Sequence, residues 1–158
     1  MDNFTAALNK MNELFGRDYQ FVLATVREGA PFQRFVDTYF DGNDIYIVAY
    51  GLSNKVRDIE KNPEVCLCGR KNYSFSGRAY NIGHPLKPEN REIREKLIKA
   101  FEPWYFLHNN EQDENMCYIK VELKSGFFHH EDMGYSVDFV NRTAEIVPFV
   151  FSAVETDD

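Results

Sequence analysis

Apolar positions Phe4, Leu8, Met11 and Phe15 recur three or four residues apart and Gly16 follows, which predicts an amphipathic helix over residues 1–16. At Phe21 the period shortens to that of a strand. The runs FVLATV, PFQRFVDTYF and DIYIVAY are separated by Glu28-Gly29 and by Asp41-Gly42-Asn43, and predict three antiparallel strands in a meander. PEVCLCG predicts a fourth strand that begins at a proline, where a missing N–H matters least. YSFSGRAYNI predicts a fifth, in which Gly77 marks a bulge or a close approach by another backbone. Between the third and fourth strands, a Ser53 N-cap, an inner stripe of Val56 and Ile59 and a stop at Lys61-Asn62-Pro63 predict a short helix over 53–62.

Past residue 84 the helical period returns. Pro88 is placed to start a helix over 88–101, Ile93, Leu97 and Phe101 form its stripe, and Glu92/Lys96 and Glu95/Lys99 are favourable i,i+4 pairs. A polar loop, HNNEQDEN, leads into a sixth strand over 115–124, MCYIKVEL at its heart. Residues 125–158 contain aromatic and apolar runs with no assignable period, and the acidic end ETDD is expected to fray. The pattern fits one domain over 1–158, with core strands in 20–84: a mainly β, α+β fold in which a six-stranded antiparallel barrel carries helical covers. A barrel this small fills its interior with side chains, so a sizeable ligand belongs outside it or at a subunit boundary.

Charge narrows the partners. With 18 Lys+Arg against 25 Asp+Glu the net charge is −7, which disfavours nucleic acid or an anionic membrane and favours a small molecule or another protein. No run approaches the ~18 apolar residues of a membrane span, and MDNFTAALNKMNELFG lacks the build of a signal peptide, so a cytoplasmic protein is expected. Cys66, Cys68 and Cys117 do not make a disulfide framework; reduced, mostly buried thiols are expected.

Against that acidic background, the first turn of the 53–62 helix carries Lys55 and Arg57, where the macrodipole favours acids. The amides after Ser53, its hydroxyl and the Lys55 ammonium can converge on one phosphate; a capped surface helix with solvated lysines is the alternative. Arg34 shares a strand face with Phe32, Val36 and Phe40 and needs an acceptor there, unless it is a rim arginine whose stem lies on apolar surface.

In order along the chain, ATVREGAP, the P-x-x-R-x-V-D pattern at Pro31, Arg34, Val36 and Asp37, F-D-G, a tyrosine-bearing strand at Tyr46, S-N-K at 53–55, N-P-x-V at 62–65 and S-G-R-A at 76–79 resemble the pyridoxamine 5'-phosphate oxidase-like FMN-binding split barrels, small bacterial members above all. The resemblance spans roughly residues 1 to 125 and is most specific from 21 to 84. It implies a homodimer with FMN at each end of the subunit boundary. It places Ser53 and Lys55 on the phosphate, Arg34 near the phosphate or the flavin's polar edge, backbone of Phe35, Val36 and Asp37 facing the ring, and Tyr50 and Asn54 as further contacts. Phe35 stands where the family often has proline. The C-terminal substrate motif of true pyridoxamine phosphate oxidases has no counterpart, so vitamin B6 oxidation is not implied.

The implied activity is an FMN-dependent oxidoreductase acting on a small planar or aromatic compound, with NAD(P)H as a candidate donor. A non-catalytic FMN or haem carrier and a cofactor-free dimeric interaction module are the alternatives. Flavin chemistry asks the protein for position and polarity rather than an acid/base dyad. Trp104 and Tyr105 are candidates to cover the partner's flavin, with core or dimer packing as the alternative. His129-His130-Glu131-Asp132 has metal-ligand composition without ligand geometry, His84 and His108 are isolated, and no GxSxG, HExxH or Gly-rich phosphate loop occurs.

Overall fold

A computed structural model describes residues 1–150. Helix α1 (Asn3–Phe15) precedes β1 (Tyr19–Arg27), β2 (Ala30–Phe40) and β3 (Ile45–Tyr50); α2 (Asn54–Lys61) leads to β4 (Glu64–Gly69) and β5 (Tyr73–Gly83). Then come α3 (Arg91–Ala100), α4 (Tyr105–His108), β6 (Met116–His130), β7 (Met133–Asp138) and β8 (Thr143–Pro148). The sheet runs β3-β2-β1-β4-β5-β6-β7-β8 and every pairing is antiparallel. A further pairing of β3 with β6 closes the first six strands into the expected barrel.

The sixth strand is longer than the sequence pattern suggests, and two strands follow it. β6 pairs with β3 over residues 116–121 and hands the same edge to β7 from Ser125 onward. The stretch 125–148 thus extends the sheet, while the expected fraying of ETDD falls outside the described residues. Gly77 sits at a register shift between β5 and β6, and a Cβ there would meet the Glu122 carbonyl oxygen at 2.5 Å, which bears out the expected close approach.

Packing follows the alternation. α1 buries Phe4, Ala7, Met11 and Phe15, and Phe15 meets Phe21, Tyr73, Phe75 and Phe128 in a ring cluster. α2 lies across β1 and β5 with Val56 and Ile59 buried. A second core joins Ile93, Leu97, Phe101 and Tyr105 to Tyr46, Met116 and Tyr118 on the outer face of β3 and β6. Within it Arg94 donates to both oxygens of Glu111 at 2.6 and 2.7 Å, and Tyr105 and Tyr118 share a short hydrogen bond.

One expectation is corrected. Cys66 and Cys68 are exposed and only Cys117 is buried, because Val65 and Leu67 take the inward positions of β4 and leave the thiols on the outer face. Trp104 and Tyr105 pack on their own chain, the alternative reading of that segment: Tyr105 is fully buried, while Trp104 stacks on Phe101 at 4.5 Å and donates Nε1–H to the Asp18 carboxylate at 2.7 Å. No helix among the described residues is long and apolar enough to cross a membrane.

Candidate functional site

Barrel closure is incomplete along one edge of β2. β2 pairs with β1 over its full length but with β3 only through Tyr39 and Phe40. The two-residue turn at Glu28 and Gly29, both at positive φ, makes Arg27 and Ala30 the closing hydrogen-bonded pair of the β1–β2 hairpin. Alternation then turns the backbone groups of Pro31, Gln33, Phe35 and Asp37 away from β1 and toward the open side. Proline at the first of these forfeits no ladder bond. Phe32, Phe35, Tyr50 and Leu52 stand exposed around this split.

Side chains alternate the other way. Val36 points into the barrel and is buried, Phe35 and Asp37 point outward, and Arg34 faces inward opposite Leu23. Its guanidinium does not run out to solvent. Nη1 donates to Thr25 Oγ1 at 2.7 Å and to the carbonyls of Leu23 and Phe32 at 3.3 and 3.4 Å, and Nη2 lies 3.5 Å from an Asp58 oxygen. Asp58, on α2, is buried and also receives Thr25 Oγ1–H at 2.8 Å and two Arg27 N–H groups at 2.8 and 3.2 Å. The Arg27 bonds above all hold this carboxyl below its ordinary range. Arg27 also lies 4.0 Å over the Phe32 ring.

Lys55 is the contrast. Its ammonium is partly buried beside Arg34, and burial first, Arg34 second, push it below the ordinary lysine range. Among the described residues no carboxylate forms an ion pair with it. Ser53 has N-cap backbone angles but its side chain caps nothing, and among the described residues its buried Oγ has no hydrogen-bond partner. The first helical bond runs from Arg57 N–H to the Ser53 carbonyl, so the amides of Asn54, Lys55 and Val56 come before the ladder. Arg27 and Arg34 thus pair with Asp58, while Lys55 lies beside Arg34 and, among the described residues, joins no ion pair.

These observations bring Arg34, Ser53, Asn54 and Lys55 to one end of the split. The open edge of Phe35 to Asp37 runs along it, and Tyr50 stands exposed at the end of β3. At the far end of that edge the Asp37 carboxyl is raised by desolvation first and by its neighbour Asp18 second. Sequence reasoning missed Thr25, Arg27 and Asp58. The available signal was the β1 alternation, which puts Leu23, Thr25 and Arg27 on the face shared with Arg34. Glu131 and Asp132 form a hairpin turn, and no metal-ligating group of three occurs among the described residues.

A family model for pyridoxamine 5'-phosphate oxidase matches residues 7–130, the span that contains the barrel, the split and α2. The chain belongs to the pyridoxamine 5'-phosphate oxidase family. Within it, General stress protein 26 of Bacillus subtilis (strain 168) is 28% identical over 103 residues, covering 63% of this chain and 71% of that protein. The crystal structure of General Stress Protein 26 from Bacillus anthracis str. Sterne superposes with a TM-score of 0.59 at 21% identity, covering 90% of this chain and 98% of that one. An FAD-binding protein from Mesorhizobium loti has the same fold at 12% identity, with a TM-score of 0.56 over 75% of this chain and 90% of its own. The family and these neighbours share this split-barrel fold, and the Mesorhizobium loti protein is named for binding FAD.

Proposed function

We propose that the protein binds FMN as a homodimer and uses it as an oxidoreductase for a small planar substrate. One observation carries the reading: a partly buried lysine set beside Arg34 at a helix start, which, like the buried Ser53 hydroxyl there, has no carboxylate or hydrogen-bond partner among the described residues. Such a cluster is unfavourable as it stands and is relieved by an anion. A phosphomonoester carries about −1.5 to −2 charges at neutral pH and would relieve the mutual repulsion of Arg34 and Lys55. Lys55, Arg34 and the amides after Ser53 would hold that phosphate, and a rotation of Ser53 would bring its hydroxyl to the same oxygen set.

From this anchor the split runs along the backbone groups of Phe35 and Asp37, which would offer donors and acceptors to the polar edge of the ring. Phe35, Tyr50 and Leu52 give the groove the apolar surface that excludes water and favours a flat substrate. When bound, FMN supplies hydride or electron transfer at its own ring. The chain's part is to anchor, orient and dry the site.

The decisive experiment compares FMN with riboflavin. Lys55→Ala should weaken FMN binding by roughly ten- to a hundredfold, the worth of a charge-assisted hydrogen bond, and riboflavin binding little. Equal losses for both ligands would show that the phosphate sits elsewhere. Catalysis is tested by reducing the bound flavin with NADH or NADPH and following its reoxidation by a quinone or a nitroaromatic over many turnovers.

A further inference from the structure

The buried carboxylate of Asp58 ties together three elements. It accepts from Thr25 and Arg27 on β1, and it lies 3.5 Å from Arg34 Nη2 on β2 while itself belonging to α2. Thr25 Oγ1 completes a closed circuit, accepting from Arg34 Nη1 at 2.7 Å and donating to Asp58 at 2.8 Å. Asp58 follows Lys55 by three residues, about one helical turn. One short helix therefore places one cation of the cluster directly and fixes the other through its next turn.

We propose that Asp58, with Thr25 as its relay, is a positioning residue for anion binding: it locks the Arg34 guanidinium in register with Lys55, so that the two meet a phosphate as a preorganised pair. The inference rests on the FMN reading above and adds a residue that touches no ligand. Without the lock, Arg34 and Lys55 repel each other, and the arginine is free to swing toward solvent.

Charge and position predict opposite signs, which makes the idea testable. Asp58 is itself an anion close to the phosphate seat, so if its charge were all that mattered, Asp58→Asn would tighten FMN binding. If it positions Arg34, the same change loosens it. The readout is the ratio of riboflavin to FMN dissociation constants, measured by flavin fluorescence for wild type, Asp58→Asn and Thr25→Val, each checked for fold by circular dichroism. A merely structural fault would weaken both ligands alike and leave the ratio unmoved.

The expected result is a ratio about tenfold smaller in Asp58→Asn and about threefold smaller in Thr25→Val, as loss of a charged and of a neutral hydrogen bond implies. A ratio equal to or larger than wild type in folded Asp58→Asn overturns the proposal while the phosphate reading stands. Where Asp58→Asn does not fold, the near-isosteric Thr25→Val decides, and an unmoved ratio there overturns it. A wild-type protein that prefers FMN no more than riboflavin defeats the phosphate reading itself, a distinct failure.

Discussion

A carboxylate with almost no exposure that receives two hydrogen bonds from Arg27 and one from Thr25 is a stability element as well as a site element. Its folded-state pKa lies below that of the unfolded chain, about 3.9, so its contribution is complete above the unfolded value and is lost as pH falls through the folded one. Asp58→Asn keeps the shape and removes the charge, at a cost of about 1–3 kcal/mol near neutrality. For a chain of this size each kcal/mol moves the melting temperature by about 2–4 °C. The melting gap between wild type and Asp58→Asn should be full above about pH 5 and narrow progressively below about pH 4. A gap that stays constant through that window would mean that the carboxylate is not held ionised by its arginines.

At the level of the element, Gly77 is where β5 changes register against β6, and a side chain there would press on the Glu122 carbonyl and the Val121 side chain. Gly77→Ala should therefore destabilise by about 1–3 kcal/mol in urea unfolding with little change in the slope, since the insult is overpacking. That bulge was readable because a glycine inside a strand pattern is rarely neutral. Helix α1, the β1–β3 meander and α3 were equally plain, each having a clean period and a conventional turn or stop. β7 and β8 were hidden by their turns. His130 pairs with Met133 across Glu131-Asp132, which hold φ of 48° and 61°, and Arg142 at φ 57° precedes β8; none offers the glycine that announces a hairpin. The site divides along the same line. Lys55 betrays itself by sitting against the helix dipole, but Asp58 takes its meaning from Thr25 and Arg27, 33 and 31 residues away, and only strand register brings them together.

The whole molecule leaves two surfaces that a lone chain has little reason to keep. One is the open β2 edge with Phe32, Phe35, Tyr50 and Leu52 around it; the other is the outer sheet face beside it, where Val22 and Ala24 pair across to Cys68 and Cys66, and those to Ser74 and Ser76. The side chains of this face are short, so a second sheet can approach closely, and a lasting dimer needs about 800 Å² from each copy. If the proposed homodimer uses this face, Cys66 and Cys68 become internal clocks of assembly. Their alkylation should be slow at concentrations where sedimentation gives a dimer and should speed up on dilution. Cys117 serves as the control, since burial pushes its thiol up to about 11 and it should stay unreactive until the chain unfolds. Phe35→Glu, which puts a charge at the edge of the same surface, should shift the equilibrium toward monomer and release the two outer thiols together. Rapid alkylation of Cys66 and Cys68 in a sedimenting dimer would place the interface on another face, and a monomer at all concentrations would remove the shared flavin site from the proposal.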